Sequence, residues 1–411
     1  MKKLFIILLA VLISSCASDL PAEPVLLIIE TEEMFAEAGA DSISALQSDA
    51  GPALQGDDNK DDVRDDNKIE YIIDNMSLEE KIGQMFFCAF RRDNNGAGIT
   101  QINQDIINIL DNYYIGGVIL FSENIASAQQ VINYINDLQA ASALPLFISI
   151  DEEGGRVSRT GSLDLPRISA ALETVSTHSA YANAQTIANY LVPLGFNINF
   201  APVADVFTNP ENSVIGDRAY SREPEQAAEL VKYAVTGMLD NFMIPTLKHF
   251  PGHGDTSTDS HFGAAATDKT LTDLLSCELI PFKSGIVAGA PFIMTGHIST
   301  PNITGDNEPA LFSSYLLQDI LRGELGFEGV IITDALDMGA VTRYYSAEQT
   351  AVKSVLAGVD MLLMPSDFEQ AYNGLVQAVR SGDIKESRID ESVRRILSVK
   401  YKFNIIIGPP L

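Results

Sequence analysis

Histidine is the side chain that changes charge nearest neutrality, and three of the five in this 411-residue chain fall in one stretch. It reads Lys248-His249-Phe250-Pro251-Gly252-His253-Gly254-Asp255-Thr256-Ser257-Thr258-Asp259-Ser260-His261 and follows an apolar segment, so proton donors and acceptors stand close together. Asp259 and His261 are two apart where the chain reads as extended, which places both side chains on one face within hydrogen-bonding reach. A carboxylate bonded to an imidazole fixes its tautomer and raises its basicity, so the pair is a candidate acid/base dyad. The Gly, Ser and Thr content of the stretch predicts a backbone free to move.

Other polar groups stand where apolar runs end. One run leads into Asp151-Glu152-Glu153-Gly154-Gly155-Arg156-Val157-Ser158-Arg159, and others into Asp205, Lys248-His249, His297 and Asp334. A single Asp after a strand is a common helix cap, but five strands ending in polar groups form a pattern. Asp334 closes a Val/Ile run and so sits on rigid scaffold, which suits a nucleophile better than a proton shuttle.

The elements that must hold these groups are short apolar runs alternating with segments of helical period. Strands are predicted at 84–89, 116–121, 146–150, 197–203, 245–248, 291–295, 329–333 and 359–364. Between them lie segments such as Ala227, Leu230, Val231, Ala234, Val235 and Met238, spaced to give one apolar face, and Ser77-Leu78-Glu79-Glu80 has the form of a capping box. Alternation means parallel strands, and eight of them favour a closed TIM (β/α)8 barrel over an open doubly wound sheet, with the chemistry at the C-terminal ends of the strands.

Several of these motifs resemble a known family. Lys-His-Phe-Pro-Gly-His-Gly followed by Asp259-Ser260-His261, the segment 151–159, Gly216-Asp217-Arg218, and Gly326-Phe327-Glu328-Gly329-Val330-Ile331-Ile332-Thr333-Asp334-Ala335-Leu336 look like the β-N-acetylglucosaminidase branch of glycoside hydrolase family 3 over 76–401. The resemblance implies a retaining glycosidase on a TIM barrel, with no cofactor and no metal, acting on an oligosaccharide that contains N-acetylglucosamine. Asp334 resembles the nucleophile; His261, paired with Asp259, resembles the acid and then the base. Asp151, Arg159, Arg218, Lys248 and His249 resemble the groups that hold sugar hydroxyls. His253 is expected to be structural, shaping the Pro251-Gly252 turn; Glu152, Glu153 and Asp255 to be local hydrogen-bonding groups; and Asp205 and His297 to stand in the pocket wall. Relatives with a C-terminal α/β sandwich domain can place a catalytic carboxylate on it, whereas this chain reads as a single catalytic domain with its acid inside the barrel.

Two other enzyme and binding readings are weaker. A metal-dependent barrel hydrolase would use His249, His253, Asp259, His261 and His297 as ligands, but the chain lacks a His-x-His at the first strand and any His-Glu-x-x-His. A non-catalytic sugar-binding lipoprotein would have no need of every catalytic group.

Lys2-Lys3 precedes an apolar run from Leu4 to Ile13, too short to span a bilayer and ending in Ser14-Ser15-Cys16. The expectation is a lipoprotein signal over 1–16, lipidation of Cys16, an acidic flexible tether over 17–68, and a barrel domain over 69–405. The residue after Cys16 is not Asp, which favours an outer membrane or cell surface over an inner membrane. Cys88 and Cys277 read as buried thiols rather than a disulfide framework. A net charge of −28 without a basic stripe excludes nucleic acid as a partner and leaves the oligomeric state open.

Overall fold

The computed structural model describes residues 58–256 and 265–406, so Cys16, the 1–16 leader, Asp259 and His261 lie outside the described residues. Eight strands alternate with helices: β1 (Phe86–Ala89), β2 (Gly117–Ile119), β3 (Phe147–Ile150), β4 (Ile198–Asn199), β5 (Ile244–Phe250), β6 (Phe292–Thr295), β7 (Val330–Thr333) and β8 (Leu362–Leu363). Each overlaps a predicted run. All pair in parallel in the order β8-β1-β2-β3-β4-β5-β6-β7. A further parallel bridge from Ile332 to Met361 joins β7 to the start of β8, so the sheet curls round into a barrel and the open sheet is excluded.

The barrel is filled by side chains from opposite sides. Phe87 on β1 meets Phe200 at the end of β4 with ring centroids 5.4 Å apart, and Phe147 on β3 meets Phe292 on β6 edge-on at 5.3 Å. The edge-to-face contact of the second pair keeps the positive ring edge against a negative face, and the tilted first pair fills the interior beside it. Outside, the helix Pro224–Leu239 buries Ala227, Leu230, Val231, Ala234, Val235 and Met238 between the helices Thr177–Leu191 and Leu279–Val287. Ser77 and Glu80 close a reciprocal capping box at the helix Leu78–Gln84, as the sequence motif predicts. Cys88 is buried and unbridged, with burial pushing its thiol up to about 12; Cys277 is also free but only partly buried.

One boundary moves. The helix Asp58–Asn75 begins inside the expected tether, because Ile69, Ile72 and Ile73, three and four apart, bury one face against the domain, and Glu70 pairs with Arg394 of the last helix Glu386–Lys402. A helix anchored by that turn extends toward its N-terminus at little cost, since propagation needs no new nucleus. No helix among the described residues is long and apolar enough to cross a membrane.

Candidate active site

The polar residues at the strand ends meet at the C-terminal face of the barrel. β5 carries two of them in succession. Its pairing register with β6 shifts between Lys248 and Phe250, and the irregularity lets the consecutive side chains of Lys248 and His249 both line one cavity. That cavity, of about 560 Å³, is also lined by Asp151, Arg159, Arg218 and Asp334. Every sugar-binding candidate and the candidate nucleophile therefore share one space.

At its floor is a buried ion network. Lys248, 2% exposed, places Nζ 2.8 Å from Asp151 and 2.6 Å from Glu153. Glu153 also accepts a bidentate pair from Arg218, Nε at 2.8 Å and Nη2 at 2.9 Å. Burial opposes ionisation of Glu153, but Arg218 and Lys248 outweigh it and hold the carboxyl far below the usual carboxylate range. Conversely, burial would deprotonate Lys248, yet Asp151 and Glu153 raise it above its ordinary value. Arg159 reaches Asp151 at 3.7 Å and lies 5.6 Å from the Phe121 ring, with its Nε buried and without a hydrogen-bond partner among the described residues. Such a set is fixed, charged and rich in donors, which suits hydroxyl groups.

Asp205 and His297 are not wall residues. Asp205 is fully buried behind His249: Oδ2 lies 2.8 Å from His249 Nδ1, while Oδ1 accepts the backbone amides of His249 at 3.2 Å and His253 at 2.7 Å. With Nδ1 donating to Asp205, His249 turns the Nε2 lone pair toward Arg218 Nη2 at 3.4 Å, so the carboxylate sets the ring's tautomer as well as its angle. His297, 1% exposed, donates from Nε2 to the carbonyl of Ala335 at 2.8 Å and so steadies the turn after Asp334. Both expectations fail for one reason: a strand-end residue can face the layer behind the cavity as readily as the cavity.

His253 both shapes the turn and reaches the cavity. Its Nδ1 lies 2.7 Å from Thr256 Oγ1, and it lines the cavity beside His249. Burial lowers its pKa, with His249 adding to the effect and Asp205 opposing it. The glycines beside it do not serve mobility over the described part of the stretch. Gly252 has φ +126°, and a Cβ on it would stand 2.6 Å from Glu278 Cβ, while one on Gly254 would stand 1.8 Å from the carbonyl oxygen of Val206. They are required by close packing. Glu152 and Asp255 are local bonding groups as expected. Glu152 accepts from Ser158, Tyr190 and the amides of Arg159 and Thr160, and Asp255 accepts from Thr208 and Thr267.

Asp334, at the tip of β7, presents a half-buried carboxyl to the cavity. Burial opposes its ionisation, but the His249 and His297 rings, the Ala335 amide 2.7 Å from Oδ1, and Lys248 hold it below its ordinary value. The result is an ionised carboxylate that forms no side-chain ion pair among the described residues. Among the lining residues to which the sequence reading gave no role are Arg91, Phe121, Arg156 and Asp337, Arg156 having entered only as part of the 151–159 motif. Arg91 had a signal, since it follows β1 by two residues as the other site groups follow their strands. Its guanidinium stacks 4.1 Å over Phe121 and pairs with Glu123 at 2.8 Å. Arg156 ties the loop after β3 to that after β4, bonding Asp217 and the carbonyls of Ser213, Val214 and Ile215.

Residues 77–399, nearly the whole barrel, match the glycosyl hydrolase family 3 N terminal domain. The chain belongs to that family. It is 34% identical over 351 residues to beta-hexosaminidase A of Pseudoalteromonas piscicida, covering 77% of this chain but only 59% of that protein's length. It is 38% identical over 283 residues to the beta-hexosaminidase of Nitrosomonas eutropha, covering 67% of this chain and 80% of the relative. Among solved structures, a glycoside hydrolase family 3 beta-N-acetylglucosaminidase from Paenibacillus sp. is similar with a TM-score of 0.77 and 36% identity, over 82% of this chain and 64% of that one. A beta-N-acetylhexosaminidase from Beutenbergia cavernae gives 0.73 and 28%, over 80% and 99%.

Proposed function

We propose that this chain is an exo-acting, retaining β-N-acetylhexosaminidase that releases terminal β-linked N-acetylglucosamine from peptidoglycan fragments or chitooligosaccharides. The observation that carries the reading is Asp334, the ionised carboxylate held on rigid strand in a cavity where Lys248, Arg218 and Arg159 pair with Asp151 and Glu153 rather than with it. A carboxylate kept ionised by its surroundings but not tied up in a side-chain ion pair of its own can attack an electrophilic carbon.

In this mechanism an Asp334 oxygen bonds to the anomeric carbon as the glycosidic bond breaks, and His261 gives its proton to the departing oxygen. Water then enters, His261 takes a proton from it, and its oxygen bonds to the anomeric carbon as the Asp334–carbon bond breaks, regenerating the carboxylate with the sugar's configuration retained overall. Asp151, Arg159, Arg218, Lys248 and His249 hold the sugar hydroxyls. We further propose that the protein is exported and anchored through lipidated Cys16, on the strength of its Lys-flanked apolar leader and the Ser-Ser-Cys that follows.

Asp334→Asn should nearly abolish turnover of aryl N-acetylglucosaminides while leaving the thermal transition in place. For His261→Ala the loss should be about 10²- to 10⁴-fold for poor leaving groups and much smaller for good ones in the first step. Equal losses across a leaving-group series would refute the proton-donor role, and an active Asp334→Asn enzyme would refute the nucleophile.

A further inference from the structure

Glu152 stands in the chain between residues that line the cavity, yet it lines no part of it. Asp151, Glu153 and Arg159 face the cavity, whereas Glu152 is turned away and only 3% exposed. The division follows from the backbone. Pairing of β3 with β4 ends at Ile150 opposite Asn199, and the Asn199 side chain continues it: Oδ1 accepts the Glu152 amide at 3.0 Å and Nδ2 donates to the Glu152 carbonyl at 2.7 Å. An amide side chain thus replaces the next strand residue and keeps the chain extended, so successive side chains take opposite sides. Asp151 and Glu153 both reach Lys248 Nζ, at 2.8 and 2.6 Å, and Glu152 faces the other way.

There its carboxyl collects the returning arm of the same loop. The chain reverses between Glu153 and Val157, whose carbonyl accepts the Glu153 amide at 2.9 Å. Oε2 of Glu152 accepts the amides of Arg159 at 2.8 Å and Thr160 at 3.2 Å, while Oε1 accepts the hydroxyls of Ser158 at 2.6 Å and Tyr190 at 3.1 Å. The two oxygens are not equivalent. A backbone N–H can only donate, so the Oε2 place demands an acceptor; a hydroxyl can also accept, so the Oε1 place tolerates a donor. Fixing the two amides sets the backbone at Arg159, whose guanidinium returns over the cavity to lie 3.7 Å from Asp151.

We propose that Glu152 is a positioning residue for sugar recognition. Through the Arg159 backbone it holds that guanidinium beside Asp151, and it does so by its reach and its acceptor oxygen rather than by its charge. This rests on the glycosidase reading above, in which Asp151 and Arg159 hold sugar hydroxyls.

The test compares Glu152→Gln with Glu152→Asp in the full-length protein, reading kcat/KM on p-nitrophenyl N-acetylglucosaminide. Glutamine keeps the reach, with its carbonyl on the two amides and its NH₂ on the two hydroxyls, so activity should stay within about 3-fold of wild type. Aspartate keeps the acid but is one methylene shorter; it withdraws the acceptor from the amides and should lose about 10- to 100-fold. In an Arg159→Ala background that loss should shrink below about 3-fold, because the group being positioned is gone. Full activity in Glu152→Asp overturns the proposal, as does a Glu152→Gln variant that loses its activity or its fold, which would show that the charge itself is used. Losses that multiply across the Arg159→Ala cycle also overturn it, since general damage to the loop would add to the loss of Arg159 rather than vanish with it. Should Glu152→Asp not fold, Ser158→Ala with Tyr190→Phe, which strips Oε1 of its anchors, takes its place, with a smaller loss that should vanish in the same background. A wild-type protein inactive on the aryl substrate strikes the glycosidase reading; an active one whose Glu152→Asp variant matches it strikes only the positioning.

Discussion

Replacing Lys400 with methionine should stabilise the domain at neutral pH, by an amount that vanishes in alkali. Lys400 is 0% exposed on the last helix, Glu386–Lys402. It enters the base of the barrel, where Nζ donates to Gln84 Oε1 at 2.8 Å and lies 5.1 Å from the centre of the Phe147 ring. One neutral acceptor and a ring face replace little of the hydration an ammonium loses, and burial lowers its pKa from 10.5 to about 7. The unfolded chain holds the proton below 10.5 and the folded chain releases it above about 7, so across that window the unfolded state binds more protons. Stability therefore rises with pH through the window, and at pH 7 Lys400 withholds about 5 kcal/mol, at ~1.4 kcal/mol per unit of the gap. Methionine removes that cost but leaves Gln84 Oε1 buried without a donor, a loss of about 1–3 kcal/mol. The net expectation is a gain of about 2–4 kcal/mol near pH 7, shrinking by ~1.4 kcal/mol per pH unit and reaching zero or a small loss near pH 10. Urea titrations of both proteins at pH 7, 8, 9 and 10 measure this directly. A difference between them that does not change with pH would show that Lys400 keeps its proton in the fold and would refute the reasoning.

Two other substitutions probe the site's support. Asp205→Asn turns an amide NH₂ toward either His249 Nδ1 or the two backbone amides that Oδ1 accepts, so the ring tautomer facing Arg218 is lost. An aryl N-acetylglucosaminide assay should show kcat/KM down about 10- to 100-fold, with near-ultraviolet circular dichroism unchanged; wild-type activity would disprove the orienting role. Glu153→Gln leaves Lys248 and Arg218 short of a buried countercharge and should cost about 3–5 kcal/mol in urea unfolding. Because the folded Glu153 pKa lies far below its ordinary 4.5, its stabilisation is fully present above that value and is lost only as strong acid approaches the folded one. The penalty should thus be constant from about pH 6 to 8; a penalty that fades within that range would contradict the buried ion network.

The barrel was legible in the chain because each strand is a short apolar run and each helix an amphipathic one, and these periods are local properties. The β5 segment and the Val330–Thr333 strand announced themselves and the polar residues at their ends. Residues that depend on which way a loop turns were not legible. Asp205 and His297 were expected in the wall and lie behind it; Arg91 and Asp337 were passed over and line the cavity. The Gly252–Gly254 turn suggested mobility by composition and proved to be a close-packing requirement, since only the neighbours Glu278 and Val206 reveal how little room a side chain would have.

Residue order by itself thus determined the eightfold alternation, the identity of Asp334 as a strand-end carboxylate, and the family resemblance, because these rest on period and on contiguous motifs. Only the tertiary structure decided which charges cancel. Lys248 is separated from Asp151 by 97 residues and Arg218 from Glu153 by 65, and closing the barrel is what brings these groups within hydrogen-bonding distance. Once they are paired, Asp334 stands in the lining without a side-chain ion pair among the described residues, a distinction that depends on distances across the barrel rather than along the chain.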